Sequence, residues 1–193
     1  MREIYSYDPP ERFIAGTVGD PGERTFFLQA RRAGRMTSVA LEKEQVAVLA
    51  ERMEELLDEV LRRTGGAAQV PAVAPVDLVD DAPLEQPVDE EFRVGALILG
   101  WDADAERVII EAHARAETEE EQVEALADEA EDGPPVLRVR ITGAQARAFA
   151  KRAQLVVSAG RPSCPFCGLP IDPDGHLCPR MNGHHPSAPT ASQ

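Results

Sequence analysis

The sequence predicts an α+β protein in which two halves, each of three strands followed by a helix, share an antiparallel sheet and precede a small cysteine-containing unit. Three observations predict this class: short runs rich in β-branched and aromatic residues, two stretches with helical hydrophobic spacing, and three cysteines confined to one C-terminal region. With 193 residues, 43% of them hydrophobic, the chain is long enough to bury a sizeable core.

The first predicted half occupies residues 1–63. Strands are predicted at Arg12–Val18, Thr25–Arg32 and 36–41, because glycine-containing turns separate these runs. A helix is predicted over 42–63, where hydrophobic residues recur every three or four positions. These residues are Val46, Leu49, Met53, Leu56, Leu57 and Val60.

The second predicted half, residues 92–160, repeats this order. Strands are predicted at 92–101, 107–113 and Val136–Ile141, and a helix at 142–158. The two helices align at a fixed offset, which raises the possibility of an internal duplication. However, any amphipathic helix that follows a strand would align similarly. The aligned positions are Leu41, Gln45, Leu49, Ala50, Arg52 and Leu56 with Ile141, Gln145, Phe149, Ala150, Arg152 and Val156.

The net charge of -14 is concentrated in two segments, 64–91 and 117–132, which contain no lysine or arginine. The first is rich in proline, alanine, valine and aspartate without periodicity, which predicts a flexible acidic linker. The second is predicted to be an exposed acidic insertion between two strands. The acidity therefore belongs to connecting segments and does not describe the two folded halves.

The cysteines have the spacing of a zinc knuckle. Cys164 and Cys167 form a C-x-x-C pair that can present two sulfurs to one ion, and His176 with Cys178 supplies a second pair after a turn-rich loop. Three thiolates and one imidazole form a closed tetrahedral set, which predicts structural Zn²⁺. Residues 161–193 are therefore predicted to form a zinc knuckle followed by a disordered tail.

Alternatives to this ligand set remain open. His184 or His185 could replace His176 as the fourth ligand, since both also lie within reach of the last cysteine. The C-x-x-C pair could instead serve redox chemistry. Water in place of the histidine, with Asp172 or Asp174 as base, would give a zinc hydrolase.

Basic residues in both halves define a candidate anion-binding patch for a phosphate, a nucleotide or an RNA backbone. The competing interpretation is that alternating arginines form the solvated face of the sheet. The paired carboxylates of Asp102 and Asp104 predict a turn rather than a catalytic pair. His113 stands alone and is assigned no role. The patch residues are Arg31, Arg32, Arg35, Arg138, Arg140 and Arg152.

Several motifs are distinctive together: Tyr-x-Tyr-Asp-Pro-Pro-x-Arg-Phe at 5–13, Gly-Thr-Val-Gly at 16–19, Arg-Thr-Phe-Phe-Leu-Gln-Ala at 24–30, and the cysteine motifs at 164–168 and 175–180. In these motifs the chain resembles, over its whole length, a family of uncharacterised actinobacterial proteins, domain of unknown function 3090. The resemblance implies that the histidine at 176 belongs to the metal motif. It implies no activity.

No signal peptide, membrane span, P-loop, dinucleotide-binding glycine motif or nucleophile elbow is present in the sequence. We therefore expect a cytoplasmic protein that does not bind membranes and is not expected to bind DNA. The favoured function is a non-enzymatic adaptor that binds a protein partner. An RNA- or nucleotide-binding module is the first alternative and a zinc hydrolase the second.

Overall fold

The computed structural model describes residues 2–116, 118, 133–160, 164–167, 171, 178 and 180. The chain divides into two compact units, Met1–Ser158 and Ala159–Gln193. The predicted acidic insertion lies outside the described residues except for Thr118. The first unit combines a seven-stranded sheet with two helices, which confirms the predicted α+β class.

Each predicted strand and helix is present, with ends shifted by two residues at most. A short first strand was not predicted. The strands are β1 (Ile4–Tyr7), β2 (Arg12–Val18), β3 (Thr25–Arg32), β4 (Arg35–Leu41), β5 (Glu90–Asp102), β6 (Arg107–Ala114) and β7 (Val136–Ile141), and the helices are α1 (Lys43–Thr64) and α2 (Gly143–Ser158).

Both helices begin with the same hydrogen-bonded cap. Gln45 Oε1 accepts a hydrogen bond from the backbone N–H of Glu42 at 2.9 Å, and Gln145 Oε1 accepts one from the N–H of Thr142 at the same distance. Such a capping box satisfies backbone donors that a helix start leaves unpaired. The end of α1 is set by Gly65, whose φ of 60° suits a residue without a side chain.

The strand order is β1-β7-β6-β5-β4-β3-β2, and the sheet is mixed rather than antiparallel as expected. The β1–β7 and β4–β5 pairs are parallel, while the others are antiparallel. The β4–β5 pair is parallel because α1 and a long connection carry the chain back before β5 begins. The first residues of β5 pair with β4, and the rest pair with β6 beyond a bulge between Val94 and Ala96.

The sheet must be strongly curved, because its two edge strands are joined by only four residues, 8–11. This connection spans at most about 17 Å, whereas seven flat strands would span about 29 Å. A buried hydrogen bond of 2.7 Å between the hydroxyl groups of Tyr7 in β1 and Thr37 in β4 also crosses from an edge strand to the middle of the sheet.

The strand pairing follows a similar order in the two halves, for which the aligned helices raised a possible internal duplication. In the second half, β5 pairs in parallel with β4, the last strand of the first half, and antiparallel with β6. In the first half, two shorter strands share these roles: β1 pairs in parallel with β7, the last strand of the second half, and β2 pairs antiparallel with β3. Each helix also packs on strands of both halves: α1 packs on β3 and β5, and α2 packs on β6 and β2. The two halves therefore share one core and form a single body.

One continuous hydrophobic cluster joins both helices to the face of the sheet that they cover. Phe13 of β2 stacks on Phe149 of α2, with ring centroids 4.6 Å apart and planes 9° from parallel. Among the described residues, no helix is both long and apolar enough to cross a membrane.

Residues 65–89, which we call the strap, begin in the helix-side core with Ala68 and Val70 and reach the opposite face of the sheet, where Leu84 and Val88 pack on β2, β3 and β4. Leu84 is buried against Gly16, where a Cβ would lie 2.6 Å from the leucine Cγ. The Gln29 side chain donates to the carbonyl of Glu85 at 3.0 Å and accepts from its N–H at 2.8 Å. The flexibility expected of this segment stays a prediction, but these anchors were not predicted.

Candidate metal centre

The three cysteines of the second unit come together as a cluster of sulfurs. The Sγ atoms of Cys164, Cys167 and Cys178 all lie within 4.8 Å of one another, and the first and last are 3.8 Å apart. Tetrahedral zinc with Zn–S bonds of about 2.3 Å places two sulfurs about 3.8 Å apart. A disulfide would require about 2.05 Å. The cysteines are free, so the spacing fits metal ligation.

The surroundings of the cluster favour the thiolate form. Burial raises the pKa of the Cys164 thiol, but hydrogen bonds from the backbone N–H groups of Cys167 and Phe166 outweigh it, so that the net pKa is lowered. Thiolate is the species that binds a metal. Arg180 Nη1 donates to the carbonyl of Phe166 at 3.0 Å and so supports the C-x-x-C loop.

The fourth ligand is not among the residues that the structure describes. His176, the predicted ligand, lies outside them, as do the alternatives His184 and His185 and the two candidate bases of a hydrolase, Asp172 and Asp174. The described residues therefore provide three sulfur ligands. The choice of histidine stays a prediction.

Four of the six arginines of the predicted anion patch, Arg31 among them, contact the end of β1 or the segment 8–11 that joins it to β2. The Arg35 guanidinium donates to the carbonyl of Ser6 at 2.7 Å, and Arg32 donates to the carbonyl of Asp8. Arg140 lies 3.5 Å from the carboxylate of Asp8 and also pairs with Asp102. These guanidinium groups are engaged within the fold.

The other patch arginines also bind protein atoms. Arg31 pairs with the carboxylates of Glu11 at 3.6 Å and of Glu85 in the strap at 3.4 Å. Arg138 Nε donates to Glu111 Oε1 at 2.6 Å. Arg152 donates to backbone carbonyls of β2 and the strap. Each of the six arginines of the predicted patch thus has a partner within the protein.

Two smaller predictions can be compared with the structure. The Asp102 carboxylate accepts hydrogen bonds from the N–H groups of Asp104 and Ala105 at 3.1 and 2.9 Å, which confirms the predicted turn. His113, which was assigned no role, is buried and lies between Arg2 at 2.5 Å and Glu111 at 3.2 Å. Glu111 and His113 are two positions apart in β6, so their side chains lie on the same face of the sheet. This spacing was the sequence signal for the contact.

Sequence reasoning also missed one half-buried and one buried arginine, Arg12 and Arg147. Arg12 binds the Asp80 carboxylate through Nε at 2.6 Å and Nη2 at 2.8 Å. Arg147 is 2% exposed and binds Glu54 and Asp58 of α1. The available signal for Arg147 was its position on the apolar side of α2, between Ala146 and Phe149.

Fold and cluster together define an α+β protein with a seven-stranded mixed sheet, two helices and a C-terminal cluster of three cysteines that could hold a metal ion. A family model described as Protein of unknown function (DUF3090) matches residues 5–178, and the chain belongs to this family. The match includes all three cysteines. No curated protein and no solved structure matches the chain.

Proposed function

We propose that this protein binds one structural Zn²⁺ ion through Cys164, Cys167, Cys178 and His176. The observation that carries the proposal is the separation of 3.8 Å between two cysteine Sγ atoms, which matches the edge of a zinc–sulfur tetrahedron. Zinc suits this set because thiolate and imidazole are its usual ligands in closed sites. Free thiols at this spacing also fit a reducing compartment such as the cytoplasm.

We further propose that the knuckle serves a non-enzymatic adaptor and presents a contact surface to a protein partner. Phe166, which lies inside the C-x-x-C loop, is 55% exposed although it is a large apolar side chain. An exposed aromatic residue on a loop held by metal is a typical anchor for a protein interface. With four protein ligands the zinc has no place for a catalytic water.

The RNA-binding alternative is less well supported, because the arginines proposed for phosphate contact are hydrogen-bonded or ion-paired to carboxylates or carbonyls of the protein itself. A guanidinium that already binds protein atoms would have to exchange those partners for a phosphate. The adaptor therefore remains the favoured function.

Affinity capture from native lysate tests the adaptor proposal, with wild-type protein compared with Phe166→Ser. A matched control is Val76→Ser, which removes an 87% exposed valine from the strap. We expect one set of partner proteins to be retained by the wild type and by the control, and lost with Phe166→Ser or after metal chelation. Retention of the same proteins by all samples would contradict an adaptor role for the knuckle. Capture of RNA that is lost with added salt would favour the alternative.

A further inference from the structure

The starts of the two helices, which correspond between the halves, differ in one hydrogen bond. In the first half, Gln45 Nε2 donates to the carbonyl of Val94 in the neighbouring strand at 3.3 Å. Its counterpart Gln145 uses Oε1 for the same cap at the start of α2. However, no hydrogen bond from Gln145 Nε2 to any other described residue is found. The second half therefore has an amide donor without the acceptor that the first half supplies.

The missing acceptor follows from the interruption between β1 and β2. By the strand pairing, Tyr7 corresponds to Phe92 and Arg12 to Ala96, so Val94 corresponds to the region of Pro9 and Pro10. Prolines lack the N–H that would continue the strand, and here they separate its two pieces. The continuous strand β5 passes the start of α1. The start of α2 is passed instead by the interrupted pair of strands β1 and β2.

A cavity of about 110 Å³ opens at this break. Its walls are mostly apolar and include the stacked rings of Phe13 and Phe149, together with Ile14 and Ile141. The strap contributes Leu78 and, beside it, Asp80. The cavity lies entirely within the first unit and is independent of the cysteine cluster.

Two arginines fix the strap over the cavity. Arg12 holds the Asp80 carboxylate with two hydrogen bonds, and Arg152 donates to the carbonyls of Ala15 and Ala82, each at 2.8 Å. The counterpart of Arg152 in the first half is Arg52, which is 66% exposed. The position of Arg52 on α1 is thus open to solvent, whereas the corresponding position of Arg152 on α2 is covered by the strap.

The polar groups of this cavity match a negatively charged oxygen ligand. Gln145 offers two amide N–H groups in the first turn of α2, where the helix dipole favours an anion. Within the described part of the chain, Arg12 Nη1 donates one hydrogen bond, to Glu85 at 3.3 Å, and so retains donor capacity. The two carboxylates that line the cavity already accept hydrogen bonds elsewhere: Asp80 from Arg12, and Glu11 from the N–H of Ala33 at 3.0 Å.

We propose that this cavity is a binding site for a small aliphatic carboxylate, whose oxygens accept hydrogen bonds from Gln145 Nε2 and Arg12 while its hydrocarbon part packs against Phe13, Leu78 and Ile141. An apolar cavity of about 150 Å³ accommodates benzene. The smaller volume here suits a branched hydrocarbon part of four carbons. The proposal concerns the body alone and does not depend on the metal.

Isovalerate serves as the probe and is titrated into the full-length protein, with side-chain amide and methyl NMR signals followed. We expect saturable shifts of Gln145 and Ile141 in the wild type. Gln145→Glu retains the capping oxygen but replaces the donor by a carboxylate, so we expect binding at least tenfold weaker. The matched control, Gln45→Glu at the corresponding position of the first half, should bind isovalerate as the wild type does.

Filling the cavity gives a second, independent variant. Ala148→Leu places a larger side chain in the lining and should abolish binding, whereas Val48→Leu at the corresponding exposed position should not. The neutral isostere isovaleramide should bind at least tenfold more weakly than isovalerate. Absence of saturable binding to the wild type, equal affinity of Gln145→Glu, or equal affinity for the amide would each overturn the proposal.

Discussion

The Arg147 guanidinium is almost completely buried between the helices. It binds the carboxylates of Glu54 and Asp58 on α1, and its Nε donates to the carbonyl of Pro71 in the strap at 3.0 Å. One side chain thus connects both helices and the strap. A buried charge is tolerated at such a position only when it is paired and fully hydrogen-bonded.

Arg147→Met should lower the free energy of unfolding by about 2–3 kcal/mol, because it leaves a carbonyl and two carboxylates without their donor, although the carboxylates can regain water. Urea denaturation measures the loss. Arg52→Met is the control, since Arg52 is 66% exposed and its pair with Glu55 is screened by solvent, and we expect its denaturation midpoint to be unchanged. Equal midpoints for both variants would contradict the structural role of Arg147.

His113 has a lowered pKa, first because of burial and second because of the positive charge of Arg2, while Glu111 opposes the shift. The unfolded chain, whose histidine has a pKa of about 6.5, therefore takes up a proton at a pH where the folded protein does not. Stability is consequently lost as the pH falls below about 6.5.

His113→Gln removes this proton uptake, so the free energy of unfolding should fall less steeply between pH 7 and pH 5 than it does in the wild type. Urea denaturation at several pH values measures both slopes. The pH dependence that remains in the variant arises from the carboxylates, and it serves as the control. A slope in the variant as steep as that of the wild type would show that His113 does not contribute.

At the scale of elements, the strap is held to the sheet by few buried side chains, of which Leu84 is the largest apolar one on that face. Leu84→Ala should lower the free energy of unfolding by about 2 kcal/mol. It should also accelerate proteolytic cleavage within 65–89, because local opening of the strap becomes less costly. Limited proteolysis with mass spectrometry locates the cuts.

The control for the strap is Val76→Ala, since Val76 is 87% exposed and makes little buried contact. We expect its cleavage rate to match that of the wild type. If Leu84→Ala were cleaved no faster than this control, the leucine would not be the anchor that its burial indicates.

The helices and most strands could be predicted from the sequence because their signals are local. Hydrophobic spacing predicted both helices. The capping residues Gln45 and Gln145 lie three positions after the predicted helix starts at 42 and 142. The strap could not be predicted in the same way. Its composition lacks periodicity, and its anchors depend on partners such as Gly16 and Gln29 that are distant in the sequence.

The two parallel strand pairs were also missed, for a related reason. Strand β1 has four residues and pairs with β7, more than 120 positions away. Nothing within a short window distinguishes that partner from a neighbouring strand. The alternation of Ile4, Tyr5, Ser6 and Tyr7 was the only local signal for this strand.

At the scale of the whole molecule, the repeat explains why two short βββα units form one body. Each half takes a parallel strand from the other, and each helix covers strands of both. Neither half can complete its sheet or bury its helix alone. The sequence indicated the repeat through the aligned helices, but the exchange of strands became evident only from the pairing.

The site was predictable in part. The three cysteines were identified by spacing alone, and the structure brings their sulfurs within 4.8 Å. The arginine patch was predicted from residue type and strand position, which do not reveal partners. Each guanidinium found acceptors in the protein, because buried or partly buried charges require them.

The central claim is that one zinc ion is held by three sulfurs and one histidine nitrogen. X-ray absorption at the zinc edge of purified, natively loaded protein tests it most directly. We predict one zinc per chain, with three sulfur neighbours at about 2.3 Å and one nitrogen at about 2.0 Å. His176→Ala should replace that nitrogen by a water oxygen or abolish binding. Protein without zinc, or zinc with fewer than three sulfur neighbours, would contradict the account.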